Sequence, residues 1–364
     1  MPRLNATDAI ALAFEHTKQQ IFKPFRWRQW WRLAFVGFLA GELGSGGCNL
    51  RAPTTWLPNE SKRDFLPPQF PGISPEKIGA MLGVIAVIAV IAFVLILAFM
   101  YLNSVFRFIL LESVVKKQCT IRESWQRWRK AGGRFFLWQL VYQIAFGMFA
   151  VILIGIPVGL AFAAGWLQQP REHLAPLVLG GIAMFFVLAA FVLAALVVHT
   201  FAKDFLVPLM ALENLDFADG WSRLLKMLRE EKGAYAGYAG MKLVLAIAAG
   251  IVLGIILAIV VVILAVPVVL VAVAAGMAGS AGGFHWTPEL IALVVILALI
   301  AVTILLFLTA IINVPAIVFF PAYSIHFFSA RYEPLRAWLY PPPPPPAPPP
   351  PAAPLAPTQP EPIV

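Results

Sequence analysis

Thr120-Ile-Arg-Glu123-Ser-Trp125 decides the fold, because the chain writes it three times: the sister phrases are Asn5-Ala-Thr-Asp8-Ala-Ile10 and Asp216-Phe-Ala-Asp219-Gly-Trp221. Each opens on a capping-type residue, places an acid three positions later, and closes on a small residue followed by a large apolar one. Thr120 with Glu123 has the form of a capping box, in which hydroxyl and carboxylate each accept from an orphan N–H of the first turn. Asn5 with Asp8 and Asp216 with Asp219 offer the same chemistry. Downstream of each phrase, apolar residues recur at helical spacing with cations between them, such as Lys18 in the first, Arg122 and Arg127 in the second, and Arg223 and Lys226 in the third. A helix with one apolar and one cationic face lies in the plane of an anionic membrane surface.

Long apolar runs follow. Residues 78–106, 135–167, 174–202, 243–284 and 290–330 contain no Asp, Glu, Lys or Arg. About 20 apolar residues span a bilayer core, so each run is long enough to cross. Composition agrees: 60% of the 364 residues are apolar and 12% charged, with a mean hydropathy of +0.83, outside the range of soluble domains. The reading is an all-α membrane protein of about six transmembrane helices, arranged as three repeated hairpins, each preceded by a cytoplasmic interfacial amphipathic helix. The units are 5–111, 120–212 and 216–330 within a membrane domain 1–340. Glu333-Pro-Leu-Arg-Ala-Trp338 looks like the start of a fourth unit, cut off by proline.

Charge sets the orientation. Cations gather in the N-terminal arm (Arg3 to Arg32), between Arg107 and Arg134, between Lys203 and Lys242, and at Arg331 and Arg336, and they are sparse in the connections between. The positive-inside rule puts the rich segments, and with them both termini, in the cytoplasm. Connection 45–77, of mixed charge, is then an outer loop, and Cys48 and Cys119 fall on opposite sides with no disulfide expected. The first 30 residues lack an apolar h-region, so no cleavable signal peptide is expected. The first span, Trp27 to Leu43, is the shortest, with Arg32 and Glu42 at its flanks. A re-entrant or surface helix is the alternative there.

In each entering span a Gly-xxx-Gly pair follows: Gly37/Gly41, Gly155/Gly159 and Gly250/Gly254, lying 27, 30 and 29 residues beyond Ile10, Trp125 and Trp221. Small residues one turn apart let helix backbones approach closely in lipid, so these six are helix-packing candidates. The lipid-interface candidates are Trp125, Arg127, Trp128, Arg129, Lys130, Trp221, Arg223 and Lys226. Pro157 and Pro267 lie inside apolar runs and are expected to kink or break their helices. From Pro341 the chain is mostly proline, and 341–364 reads as a disordered cytoplasmic tail of polyproline II character, a spacer or a ligand for a protein partner.

Asp8-Ala-Ile-Ala-Leu-Ala-Phe14, Ile21-Phe-Lys-Pro-Phe25 with Trp30, Gly44-Ser-Gly-Gly-Cys-Asn49 and Asp204-Phe-Leu-Val-Pro208 resemble a group of uncharacterised bacterial multi-span proteins. More loosely, the layout is similar to the membrane domain attached to some glycerophosphodiester phosphodiesterases, without their catalytic domain. The resemblance implies a bacterial cytoplasmic (inner) membrane and brings no activity with it.

No enzyme is expected, and no cofactor or metal. The histidines His16, His173, His199, His285 and His326 are scattered; His199 with Asp204, five residues on, is the nearest thing to a pair. No phosphate loop, nucleophile elbow or paired-carboxylate motif is present. Clusters of Lys and Arg that alternate with spans act as topology determinants, so nucleic acid is not an expected partner. The absence of ionisable residues inside the spans argues against ion-coupled transport. The leading expectation is a non-enzymatic membrane scaffold or envelope factor whose surface helices face anionic headgroups of the inner leaflet. The alternative is a transporter or channel with a cavity between the three hairpins.

Overall fold

The structure is a computed structural model, and it describes residues 5–23, 25–42, 75–168, 170–282 and 288–341. Among these, the chain is helical throughout its regular structure, with no strand. Five helices carry the apolar runs: α3 (Pro75–Val115), α4 (Ile121–Ala163), α5 (Leu174–Phe201), α8 (Lys232–Gly282) and α9 (Pro288–Ile312). All five are long and apolar enough to cross a membrane, and the chain is a multi-pass membrane protein. Their most apolar windows are almost bare of protein contact: none of the residues is buried in α3, α4 and α5, and only 6% and 11% are buried in α8 and α9.

Packing is concentrated at one end. There α3 continues past Asn103, α5 past His199, and α9 past Asn313, and these continuations form the core. After α5 comes a π-helical turn, Ala202–Leu206, and then α6 (Val207–Glu213); after α9 comes α10 (Val314–Ser329). Phe108, Ile109, Phe205, Leu206, Tyr323 and Phe327 are fully buried. Aromatic rings knit the continuations together: Tyr238 of α8 stacks on Tyr323 at 5.0 Å and meets Phe327 at 4.6 Å.

The amphipathic leaders close over this core. Helix α1 (Asp8–Ile21) packs on α10, the first part of α4 packs on the end of α3, and α7 (Phe217–Glu230) packs on the π-helical turn and α6. A last short helix, α11 (Glu333–Leu339), packs on α10 and α6. Leader and span are separate helices at α7/α8. At α4 they are one uninterrupted rod of 43 residues. Gly132 explains why α4 runs so close to α3: a Cβ there would lie 2.8 Å from the Cα of Val105.

Several expectations differ from what is found. The predicted first span holds only a 13-residue helix, α2 (Trp27–Leu39), shorter than a crossing requires. It lies beside the core end of α3, because Gln29 and Arg32 donate to the carbonyls of Lys117 and Cys119, while Gly41 abuts Asn103. Asn103 stands about 42 Å of helical rise from the start of α3. Positive φ (+73°) at Gly41 ends the helix there, a conformation open to glycine. Neither proline breaks a helix: α4 runs through Pro157 and α8 is one 51-residue helix through Pro267. One missing N–H costs a single bond in a ladder whose other turns remain intact. Thr120 and Asp216 do sit at N-cap positions, but neither side chain makes a capping bond, and the α1 N-cap is Thr7. The Asp216 carboxylate is taken instead by Arg134, at 3.0 Å. Residues 45–74 of the expected outer loop, Cys48 among them, and the Pro-rich tail beyond Pro341 lie outside the described residues, while 75–77 already belong to α3.

Candidate functional site

Where the spans enter the core, five charged side chains are held out of water. Arg107 comes from α3, Lys203 and Asp204 from the π-helical turn, Lys242 from α8, and Glu42 from just beyond α2. Glu42, Arg107 and Asp204 are 2%, 8% and 4% exposed. Lys203 pairs with Glu42 and Lys242 pairs with Asp204. The Tyr238 hydroxyl donates to the same oxygen that Lys242 meets, Asp204 Oδ2, at 2.9 Å. Arg107 donates from Nη2 to His199 Nε2 at 3.4 Å and lies over the Phe135 ring at 5.7 Å. Its Nε and Nη1 are buried without a protein partner. Beside them is a cavity of about 30 Å³, lined by Glu42, Arg107, Lys203, Asp204, Pro208 and Ser324, large enough for one water.

The π-helical turn builds this arrangement. An extra residue in one turn re-aims neighbouring side chains, so that adjacent Lys203 and Asp204 reach opposite partners on two different segments. Buried ions survive only when paired and hydrogen-bonded, and here each carboxylate meets an ammonium. The cluster thereby locks α2, α3, α5 and α8 at a single level.

A second buried polar group lies deeper in the head, among α1, α10 and α11. His16 Nε2 lies 2.9 Å from the Val114 carbonyl, an acceptor, so that nitrogen carries the hydrogen. His16 Nδ1 is then the acceptor for His326 Nε2 at 3.3 Å, and His326 Nδ1 accepts from the Tyr340 hydroxyl at 3.0 Å. With both rings neutral every bond in this chain is satisfied. Burial lowers the pKa of both histidines, to about 4 for His326, with Lys117 adding repulsion.

The predicted interface residues divide by neighbour. Trp125 meets Tyr101 and Phe106, and Trp128 stacks on Phe108 and donates to Glu112 Oε2 at 2.6 Å, so both indoles pack on protein. Trp221 is half-buried against Phe217. Arg127 and Arg223 are half-exposed and paired with Glu112 and Glu213. Arg129, Lys130 and Lys226 are exposed. Of the glycines, a Cβ on Gly37 would overlap Ile317, and one on Gly41 would overlap Asn103. Gly155, Gly159 and Gly254 have nothing within 4 Å of such a Cβ, and Gly250 is half-buried.

A family model described as "Family of unknown function (DUF7544)" matches residues 4–337. The chain belongs to that family. The DUF7544 match runs from before α1 to within α11, so it takes in the whole core, the charge cluster and the histidine pair. Among curated proteins and solved structures nothing matches, and no similarity to glycerophosphodiester phosphodiesterases is shown.

Sequence reasoning missed the charge cluster. In sequence, Arg107, Lys203 and Lys242 read as topology determinants, Glu42 as a flank, and His199 with Asp204 as no more than a loose pair. One signal was there: Glu42 and Asp204 are acids at the ends of apolar runs, where an acid is costly unless a cation meets it.

Proposed function

We propose that this chain is a non-enzymatic scaffold or envelope factor of the bacterial cytoplasmic membrane, with both termini cytoplasmic, arranged as three related units, in the first of which α3 is the one crossing helix among the described residues. In this reading the helical head rests on the inner leaflet and its exposed cations hold anionic headgroups. The observation that carries it is how the leaders divide their faces. Their apolar sides pack on the core, while Lys18, Arg122, Arg129, Lys130 and Lys226 stay exposed. Each such cation near an anionic surface contributes about 1 kcal/mol. Both α1 and α11 pack on α10, which supports termini on one side. In this reading the Pro-rich tail is a spacer or a ligand for a protein partner.

The test uses the full chain in nanodiscs of mixed phosphatidylethanolamine and phosphatidylglycerol. Native mass spectrometry of the retained lipids is expected to show enrichment of phosphatidylglycerol. Replacing Arg122, Arg129, Lys130 and Lys226 together by Gln removes that enrichment. Equal retention of both lipids by the parent chain overturns the reading.

The buried ions favour a second reading, a transporter, since ionisable groups near the bilayer are usually functional. Against it, the arms beyond the core are almost free of mutual contact, and the cavity beside the ions, lined by residues of all three units, holds about 30 Å³, room for one water. Solute flux in proteoliposomes that is lost on Asp204→Asn would support transport.

A further inference from the structure

We propose that the cleft between α5, α7 and α8 is a binding site for one anionic glycerophospholipid of the inner leaflet. It rests on the reading that the head lies against that leaflet, and it adds a defined site to a diffuse surface. The cleft has a volume of about 530 Å³, within the range of about 300–1,000 Å³ for small-molecule sites. Its walls are apolar: Val197 and Phe201 from the end of α5, Leu225 and Leu228 from α7, and Ala236 and Ala239 from the first turns of α8. Arg229 and Lys232 also line it, and both are exposed.

Position selects the occupant. Helix α7 ends at Glu230 and α8 begins at Lys232, so the two cations flank the bend between leader and span. Below them the cleft runs into apolar helix surface: Leu193 and Leu196 of α5 and Leu243 of α8 are 57%, 57% and 56% exposed. A cavity that is apolar along its length, opens toward the span surface and has cations at its head matches a phospholipid, with an acyl chain in the cleft and phosphate at Arg229 and Lys232. Basic pockets between membrane helices on the cytoplasmic side bind such headgroups. The nearby acids do not cancel the pair: Glu231 is engaged by Arg331, and Glu230 is exposed to solvent. Small side chains at Ala236 and Ala239 leave room on the α8 wall, and a large one at Ala236 fills it.

The test titrates the full chain, delipidated in detergent, with palmitoyl-oleoyl-phosphatidylglycerol and counts bound lipids by native mass spectrometry. One lipid is expected to saturate well before the rest. Arg229→Gln with Lys232→Gln, both at exposed positions, weakens that first lipid about 30-fold, since each cation contributes about a factor of five. Ala236→Trp removes it, for phosphatidylglycerol and phosphatidylcholine alike. Tm measurements establish that each variant is folded. An unchanged first affinity in the folded double-Gln variant overturns the site, whatever the tryptophan variant does. If that happens while the Arg122/Arg129/Lys130/Lys226 variant still loses its lipid enrichment, only the cleft is wrong. If the parent chain shows no preference for phosphatidylglycerol over phosphatidylcholine, both the cleft and the broader surface fail.

Discussion

The arms of α3, α4, α5, α8 and α9 and the head they grow from are built on opposite rules. Along the arms, large apolar side chains such as Val141, Leu193 and Ile259 are more than half exposed, and few residues touch a neighbouring helix. In the core of the head, many side chains are fully buried, both buried carboxylates of the charge cluster meet an ammonium, and glycine is required where backbones meet. An arm needs only to be apolar and helical, because lipid is its partner. The head has to be specific, because each group answers to a named one. Substitutions therefore carry very different costs in the two regions.

The charge cluster tests this contrast most severely. Asp204→Leu leaves Lys242 buried without its carboxylate and is expected to cost about 3–5 kcal/mol, read as chemical unfolding of the full chain in detergent. Adding Lys242→Leu is expected to recover most of that loss; no recovery would mean that the pair is not the source.

Acid acts next. The neutral histidine pair stabilises the head fully above about pH 6.5, and the contribution fades as pH falls toward about 4. The sign follows from a folded-state pKa below the unfolded one: the unfolded chain binds more protons in that window, so stability falls with pH. Up to about 3 kcal/mol is lost. Thermal melts between pH 7.5 and 4.5 are expected to show the decline, and His16→Gln with His326→Gln makes it shallower.

Packing comes third. Gly132→Val drives a side chain into the Val105 backbone and is expected to cost about 1–3 kcal/mol, whereas the same change at Gly155, with open space around it, changes little. Last, Leu193→Ala on an arm is expected to stay within about 0.5 kcal/mol of the parent. A large loss there would show that the arms are packed by something, and the contrast would vanish.

The same contrast explains what the sequence revealed. Apolar runs without charge can be read directly, and five of the spans follow from them. Leader helices can be read too, since α1, the start of α4, and α7 begin at or within two residues of their expected starts. What escaped depends on partners distant in sequence. Asp216 leaves its cap for Arg134, 82 residues away, and Lys203 finds Glu42 across 161 residues. Trp125 and Trp128 have the composition of interfacial anchors, yet they pack on protein because α4 lies tightly against α3. The π-helical turn has no compositional mark at all. The shortfall at α2 was foreshadowed by its brief apolar centre, between Arg32 and Glu42.

Helix α1 finds its partner at the far end of the chain: His16 and His326 are separated by 310 residues. At about 5–20 residues per second of synthesis, the first helix waits roughly 15–60 s before α10 exists to cover it. Until then Ala9, Ala13 and Ile21, all buried in the finished head, have only lipid or a chaperone to shelter them. The ring closes last, so a nascent chain that stalls before α8 to α10 are made is left with its founding helix unsealed, a natural handle for quality control.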